Sequence, residues 1–201
     1  PAGNFQAILI RSNTKLPEAL VKQIPSIRMV STCGVGYDNL PLDYLRERRI
    51  IISNTPGVLN DAVCELGMGM MLALLRRLPE AQELVKTNAW SKGPFRITTT
   101  LAGKRVGIVG MGRIGQDLAT RLLPFKVDIA YCGPNPKDLP YTYLKDITAL
   151  ANACDVLFLA CPATPDTDKI VGTEVLEALG PKGYLINIAR GSVVDEAALL
   201  Y

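Results

Sequence analysis

Short apolar runs alternate with amphipathic stretches in the first part of the chain. The runs 5–10, 28–33 and 50–54 predict buried strands, and the stretch 16–24 predicts a helix because its apolar residues recur every three or four positions. A second helix is predicted to begin near Pro41, since a proline in the first turn has no N–H group to leave unpaired. Strands and helices in alternation indicate a parallel sheet with right-handed crossovers.

A long apolar segment follows, from Asp61 to Leu78. Its hydrophobic residues occupy nearly every face of a helix, which predicts burial between two layers of structure. Pro79 is expected to bend or restart this helix before the stretch 80–86, because proline cannot donate a helical hydrogen bond.

The segment 87–100 is rich in threonine, glycine and proline, which is typical of a connection between domains. Trp90, the only tryptophan of the chain, lies in it and marks either an interface with another chain or a contact with its own domain. We therefore expect two domains, 1–95 and 96–201, with a linking helix at about 61–86 assigned to the first.

The run 104–109 predicts a buried strand that ends in the pattern G-x-G-x-x-G, formed by Gly110, Gly112 and Gly115. The stretch 116–123 continues with helical apolar spacing, so the pattern has the strand-turn-helix context of a dinucleotide site. Gly110 allows a tight turn, Gly112 removes the Cβ that would hold phosphates off the backbone, and Gly115 lets the helix approach the strand. The N–H groups of the first helical turn then face an anion. The residues assigned to the cofactor here are Gly110, Gly112, Arg113, Ile114 and Gly115.

The alternation of strand and helix continues to the end of the sequence. Gly180 ends one helix, and Asp195 caps another that has less than two turns before the chain stops, so we expect a C-terminally truncated chain. The predicted fold class is α/β, with two Rossmann-like parallel-sheet domains, the second a doubly wound dinucleotide-binding sheet, both incomplete in these residues. The strands predicted after the glycine pattern are 127–132, 155–161 and 184–189, and the helices are 144–153 and 174–179.

The end of the second strand in this unit bears on the choice of cofactor. NAD sites place an acidic residue there, about 20 residues past the glycines, to bind the ribose hydroxyls. This position falls at Cys132 or Gly133, and neither is acidic. A carboxylate would repel a 2′-phosphate, so its absence favours NADP over NAD, with Asn135 and Lys137 as candidate phosphate ligands. No arginine replaces the acid, and an ordinary loop lysine at position 137 is the alternative.

Charge and composition exclude several partner classes. A net charge of +3 over 201 residues does not indicate nucleic-acid binding, and the short basic clusters 46–49 and 76–77 are typical of solvated helix ends. The longest apolar run, 66–75, falls well short of the roughly 20 residues that span a bilayer, so no membrane partner is expected. Five scattered cysteines without C-x-x-C spacing are typical of reduced thiols in the cytoplasm rather than of a metal site.

Four segments, taken in order, resemble the D-isomer-specific 2-hydroxyacid dehydrogenases. They are Gly-Val-Gly-Tyr-Asp-Asn at 34–39, Asn-Thr-Pro-Gly at 54–57, the glycine-rich segment 101–115 and Leu-Ile-Asn-Ile-Ala-Arg-Gly at 185–191. Within that family, the missing acidic residue, Trp90 with the Gly-Pro-Phe that follows it at 93–95, and the segment 178–183 look most like the NADPH-preferring glyoxylate/hydroxypyruvate and hydroxyphenylpyruvate reductases.

The resemblance implies that NAD(P)H reduces a small 2-keto acid to the D-2-hydroxy acid. It assigns the backbone N–H groups at Val35 and Gly36 to the substrate carboxylate. It assigns Arg190 to the carboxylate or the carbonyl oxygen, for which a guanidinium fork is well suited, and Arg190 follows a predicted strand, where catalytic groups of open sheets lie. The further cofactor contacts that we assign are Cys161, Pro162, Thr167, Ile188 and Ala189.

The same resemblance leaves the site without its proton donor. Relatives complete it with a glutamate and a histidine that come after the position of Arg190, and this sequence has no histidine. We therefore expect the 201-residue chain alone to be inactive and poorly soluble and its parent enzyme to be active. The resemblance also implies a homodimer, with 1–95 as the substrate-binding domain and 96–201 as the dinucleotide-binding domain.

Two other functions stay open at this point. One is an NAD-dependent dehydrogenase of the phosphoglycerate type, which the missing acidic residue disfavours. The other is a non-catalytic, corepressor-like protein that senses a dinucleotide, since a fold does not determine a function. Arg190 and the Val35–Gly36 turn would be superfluous in such a sensor.

Overall fold

A computed structural model describes residues 3–200, and the chain divides between Asn60 and Asp61 into two compact units. The first unit holds a three-stranded parallel sheet in the order β1-β2-β3. Every strand and helix that the sequence predicts here is present, although the first helix is shorter than predicted. The elements are β1 (Ala7–Arg11), α1 (Glu18–Lys22), β2 (Met29–Cys33), α2 (Leu42–Glu47) and β3 (Ile51–Ser53).

The core of the first unit lies between the two helices and the sheet. Pro41 directly precedes α2, where its missing N–H group costs no hydrogen bond. The buried side chains of this core are Leu16, Val21, Ile27, Val30, Leu40, Leu45 and Ile50.

The second unit is a doubly wound parallel sheet in the order β6-β5-β4-β7-β8. The chain runs outward from β4 to β6, then returns to the other side of β4 to form β7 and β8, so the direction of winding reverses between β4 and β7. Its strands are β4 (Arg105–Val109), β5 (Asp128–Cys132), β6 (Thr142–Leu144), β7 (Val156–Leu159) and β8 (Tyr184–Asn187). Its helices are α3 (Asn60–Arg76), α4 (Leu78–Lys86), α5 (Arg113–Leu122), α6 (Ile147–Ala153), α7 (Thr173–Leu179) and α8 (Glu196–Leu199).

Helices cover both faces of this sheet, as the apolar sequence of its central strands requires. On one face, Val106 and Ile108 of β4 share a buried cluster with residues of α3 and α5. On the other face, Val109 and Leu157 share a cluster with residues of α6 and α7. The α/β class with parallel, Rossmann-like sheets is therefore confirmed.

One strand of this sheet is absent from the sequence prediction. The short edge strand β6 occupies 142–144, and the helix predicted over 144–153 begins only at Ile147. The carboxylate of Asp146 accepts a hydrogen bond from the N–H of Ala149 at 2.6 Å, which fixes the start of the helix after Asp146. A three-residue strand is too short to show the alternating pattern that strand prediction needs.

Helix α3 belongs to the second unit, because it buries one face in that unit's core. The residues of this face are Cys64, Gly67, Met71 and Leu75. The division of the chain thus falls before this helix rather than after it, in contrast to the predicted boundary at residue 95. The predicted burial between two layers is not seen in this chain, since the side chains of Leu66 and Leu74 are 63% and 49% exposed. Arg77, in the left-handed conformation, ends α3, and Pro79 follows in the first turn of α4.

All five cysteines are free thiols, and four of them are buried. Burial raises the pKa of the Cys64 and Cys154 thiols to about 11, so both stay protonated at neutral pH. Within 3–200, no cluster of three or more histidine, cysteine or acidic side chains is arranged to hold a metal ion. No helix in the same range has both the length and the apolar sequence needed to cross a membrane.

We predict that Asp155→Asn destabilises the fold in a pH-dependent way. Burial acts to raise the pKa of this carboxyl, but hydrogen bonds from the Arg105 N–H at 2.9 Å and the Lys104 ammonium at 3.3 Å outweigh it and hold the pKa below its ordinary value of 3.8. A carboxyl with a lowered folded-state pKa stabilises the fold at higher pH, and that stabilisation is lost as the pH falls through the folded-state pKa.

Chemical denaturation should therefore show a loss of about 1 kcal/mol in the free energy of unfolding at neutral pH, and a smaller loss below about pH 4. Asp128→Asn, at the exposed start of the neighbouring strand, is the matched control and should change little. A loss that is independent of pH would contradict the role given to the ionised carboxyl.

Candidate functional site

Four neighbouring strands of the second sheet end side by side at one edge. The N–H of Gly110 donates to the carbonyl of Cys132 at the end of β5 (2.9 Å), and the N–H of Ala160 donates to the last residue of β4 (2.8 Å). The N–H of Ile188 donates to the last residue of β7 at 3.1 Å. The loops after β5, β4, β7 and β8 therefore leave the sheet next to one another, around the point where its winding reverses. Ligands of open α/β sheets bind at this place.

Two glycines of the G-x-G-x-x-G pattern are required by backbone geometry. Gly110 has a φ of +95°, and a Cβ on it would lie 2.6 Å from both the N and the Cα of Cys161. A Cβ on Gly115 would overlap the carbonyl oxygen of Gly110. The tight turn and the close helix–strand approach that the pattern predicts are thus both present.

The third glycine faces open space. Gly112 precedes α5 with a φ of −76°, is exposed, and a Cβ on it would meet no atom within 4 Å. No side chain caps this helix, and no acceptor within 3–200 is found for the backbone N–H groups of 112–115. Unpaired N–H groups at the positive end of a helix dipole bind anions, so this turn fits the diphosphate of a dinucleotide.

The segment 133–137 leaves the sheet at the end of β5, beside the glycine turn. Asn135 and Lys137 are exposed in it, and it contains no carboxylate; the next residue, Asp138, is the first acidic one after the strand. The N–H of Lys137 donates to the hydroxyl of Tyr131 at 2.7 Å, so the backbone here is anchored to the strand.

Two threonines of the loop after β7 form hydrogen bonds within that loop. The hydroxyl of Thr167 donates to the carbonyl of Pro162 at 2.6 Å and accepts from the N–H of Thr164 at 2.8 Å. The hydroxyl of Thr167 thus stabilises the loop that it belongs to. At the start of this loop, burial raises the pKa of the Cys161 thiol, so the residue offers a neutral surface against Gly110.

Arg190 lies three residues after β8, and Asn187 determines the turn that presents it. The Asn187 side chain donates to the carbonyl of Arg190 at 2.8 Å and accepts from the N–H of Ala189 at 2.9 Å. Sequence reasoning did not single out Asn187. The available signal was an asparagine at a strand end, because asparagine side chains often bind the backbone of the following turn.

Val35 and Gly36 belong to the first unit, in the loop after β2, and both are partly exposed. The side-chain amide of Asn54 donates to the carbonyl of Val35 at 2.9 Å, and the hydroxyl of Thr55 accepts from the N–H of Gly34 at 2.9 Å. The loop after β3 therefore supports the loop after β2. The Asn-Thr-Pro-Gly segment singled out in the sequence thus has a structural role as this support.

The sheet order, the glycine turn and the exposed helix N-terminus at the winding reversal define a dinucleotide-binding unit of the Rossmann type. The model of the family "D-isomer specific 2-hydroxyacid dehydrogenase, NAD binding domain" matches residues 68–201. The chain belongs to this family, as the sequence resemblance predicts.

Characterised relatives match almost the whole chain. Hydroxyphenylpyruvate reductase of Plectranthus scutellarioides is 42% identical over 99% of this chain and 64% of its own length. Glyoxylate/hydroxypyruvate reductase A of Arabidopsis thaliana is 40% identical over 98% of this chain and 63% of its own. An NADPH-dependent glyoxylate/hydroxypyruvate reductase of Sinorhizobium meliloti, solved with NADP and malonate, is 41% identical with a TM-score of 0.93, over 97% of this chain and 61% of its own. The chain thus spans less than two thirds of the length of these relatives.

We predict that alanine costs much more stability at one glycine of the turn than at another. Gly110→Ala should lower the free energy of unfolding by about 2 kcal/mol or more, because of its positive φ and its contact with the Cys161 backbone. Gly112→Ala should cost less than about 1 kcal/mol, because its φ suits alanine and its Cβ meets nothing. Denaturant unfolding of the two variants checks this, and equal losses would contradict the geometry of the turn.

Proposed function

We propose that this chain carries the cofactor site and part of the substrate site of a reductase that converts a small 2-keto acid to its D-2-hydroxy acid with NADPH. The observation that supports this most directly is the common sheet edge at which the glycine turn and the Arg190 loop both begin. A hydride donor and a carboxylate ligand are the two groups that such a reaction has to bring together.

Each group of residues has a distinct part in this proposal. The N–H groups of 112–115 bind the diphosphate of the cofactor, which supplies the hydride when bound. Cys161, Pro162 and Thr167, in the loop after β7 that borders the glycine turn, and Ile188 and Ala189, in the next loop along the sheet edge, contact the cofactor. The guanidinium of Arg190 binds the substrate carboxylate or polarises its carbonyl oxygen. Val35 and Gly36 of the first unit, which we propose as the substrate-binding part, contribute backbone N–H groups to the carboxylate.

The proton donor is the part of the proposal that rests on the family resemblance alone. The 201 residues contain no histidine, and we propose that a glutamate–histidine pair outside them protonates the alkoxide. These residues alone are therefore expected to bind cofactor without turning substrate over. The free thiols support a reducing compartment, and we propose the cytoplasm.

The cofactor preference is the part of the proposal that binding can test directly. NADPH should bind this chain several-fold more tightly than NADH, because no carboxylate in 132–137 repels the 2′-phosphate and Lys137 attracts it. Fluorescence titration with each dinucleotide measures both dissociation constants. Gly112→Ala is the control, since a Cβ in the open space at the helix N-terminus should weaken both dinucleotides alike. NADH binding as tight as NADPH binding would overturn the NADP preference.

We further propose that a second copy of the chain covers the exposed apolar side of α3 and α4. Leu66 and Leu74 of α3 are exposed and lie outside the row of its buried residues, and Val85 of α4 is 66% exposed. Trp90, in the short helical turn after α4, is 59% exposed. A helix with apolar residues on two sides is normally buried on both.

A charge in this apolar surface should separate the two copies. Sedimentation or light scattering should find a dimer of the unaltered chain, and Leu66→Glu should give a monomer that keeps its unfolding midpoint to within a few degrees. Leu123→Glu, at an exposed leucine just after α5, is the matched control and should stay dimeric. A monomeric unaltered chain would contradict the homodimer.

A further inference from the structure

The hydroxyls of two tyrosines form hydrogen bonds to the main chain of the segment 133–137. Tyr131 lies on β5 and is only 1% exposed, and Tyr143 lies opposite it on the edge strand β6. Their ring centres are 5.3 Å apart with the rings tilted by 52°, so each ring fixes the orientation of the other. Both side chains therefore occupy one face of the sheet, directly below the segment that leaves it.

The two hydroxyls bind the two ends of the segment. The hydroxyl of Tyr143 donates to the carbonyl of Gly133 at 3.0 Å. The hydroxyl of Tyr131 accepts from the N–H of Lys137 at 2.7 Å and lies 3.2 Å from its carbonyl oxygen, to which it donates. Both main-chain groups of Lys137 thus bind a single buried hydroxyl. Pro134 and Pro136 restrict the backbone between these two anchors.

Anchoring of this segment should strengthen the binding of a charged ligand more than the binding of a neutral one. Asn135 and Lys137 are the exposed polar side chains of the segment: the main chain of Lys137 is bound by the Tyr131 hydroxyl, and Asn135 lies between the two anchored residues. A 2′-phosphate gains when the backbone that carries the amide and the ammonium is already ordered, because less free energy is then lost in ordering the loop. A 2′-hydroxyl gains far less, since it carries no charge.

We infer that Tyr131 and Tyr143 are positioning residues that set how strongly this protein distinguishes a phosphorylated from an unphosphorylated adenosine ribose. The inference rests on the proposed dinucleotide function, and it concerns the ratio of the two affinities rather than which cofactor binds more tightly. Neither tyrosine needs to touch the ligand. Each acts through the main chain of the segment that carries Asn135 and Lys137.

Tyr131→Phe is the direct test, because it keeps the ring and removes only the hydroxyl. Titrations with NADPH and NADH should show a five- to tenfold rise in the NADPH dissociation constant and less than a twofold change for NADH. Tyr143→Phe should act in the same direction and serves as the second variant if Tyr131→Phe unfolds. Tyr141→Phe is the matched control: this tyrosine packs against the same core and should leave both constants unchanged.

A double variant tests whether Tyr131 influences NADPH binding through Lys137. If Tyr131 acts by positioning Lys137, adding Tyr131→Phe to Lys137→Ala should weaken NADPH binding by less than twofold beyond Lys137→Ala alone. Equal weakening of NADPH and NADH by Tyr131→Phe, no change in either, or a full additional loss in the Lys137→Ala background would each overturn the inference.

The relative affinity of the unaltered chain for NADPH and NADH tests the proposed NADP preference and not the role of the tyrosines. Equal binding of NADPH and NADH by the unaltered chain would defeat the proposed NADP preference. The role of the two tyrosines would still be supported if Tyr131→Phe changed the ratio, and overturned if it did not.

Discussion

The contact between the Gly110 turn and the backbone of Cys161 is the constraint on which the second unit depends. No side chain separates the loop after β4 from the loop after β7, and Gly115 brings α5 just as close to the same turn. The first N–H groups of α5 are thereby placed at the sheet edge where the winding reverses. Because the contacts are main chain to main chain, side-chain rearrangement cannot compensate for an added Cβ, and the position of the proposed anion site follows directly from the backbone.

Much of this arrangement could be predicted from the sequence because its signals are local. Strand β4, the glycines after it and the apolar spacing of α5 lie within one short segment, and each supports the same interpretation. The same holds for Gly180, which ends α7 with a φ of +73°, and for Asp195, whose side chain accepts from the N–H of Ala197 at the start of α8. Caps and turns depend on residues adjacent in sequence, so the local sequence is sufficient to predict them.

The features that the sequence did not predict depend on partners distant along the chain. Strand β6 is formed by pairing with β5, which is distant in sequence, and three residues show no period by themselves. The division before Asp61 depends on which core α3 packs against, and its apolar sequence fits either unit. Amphipathic patterning shows that a side chain prefers burial, but the surface that buries it is a property of the assembled fold. The exposed side of α3 illustrates the same limit, since its leucines are as apolar as the buried ones.

Four of the loops proposed to bind ligand share one construction. Each is held by a polar side chain that binds its main chain: Asn54 for the loop after β2, Tyr131 for the segment after β5, Thr167 for the loop after β7 and Asn187 for the loop that carries Arg190. These anchors are internal to the loop or lie at a neighbouring strand end, so the groups left to meet a ligand are backbone N–H groups and a few exposed side chains. Preorganised donors bind without the cost of ordering a loop, and their geometry is determined by residues outside the contact. Changing an exposed residue at such a site removes one contact, whereas changing an anchor displaces every contact that its loop makes.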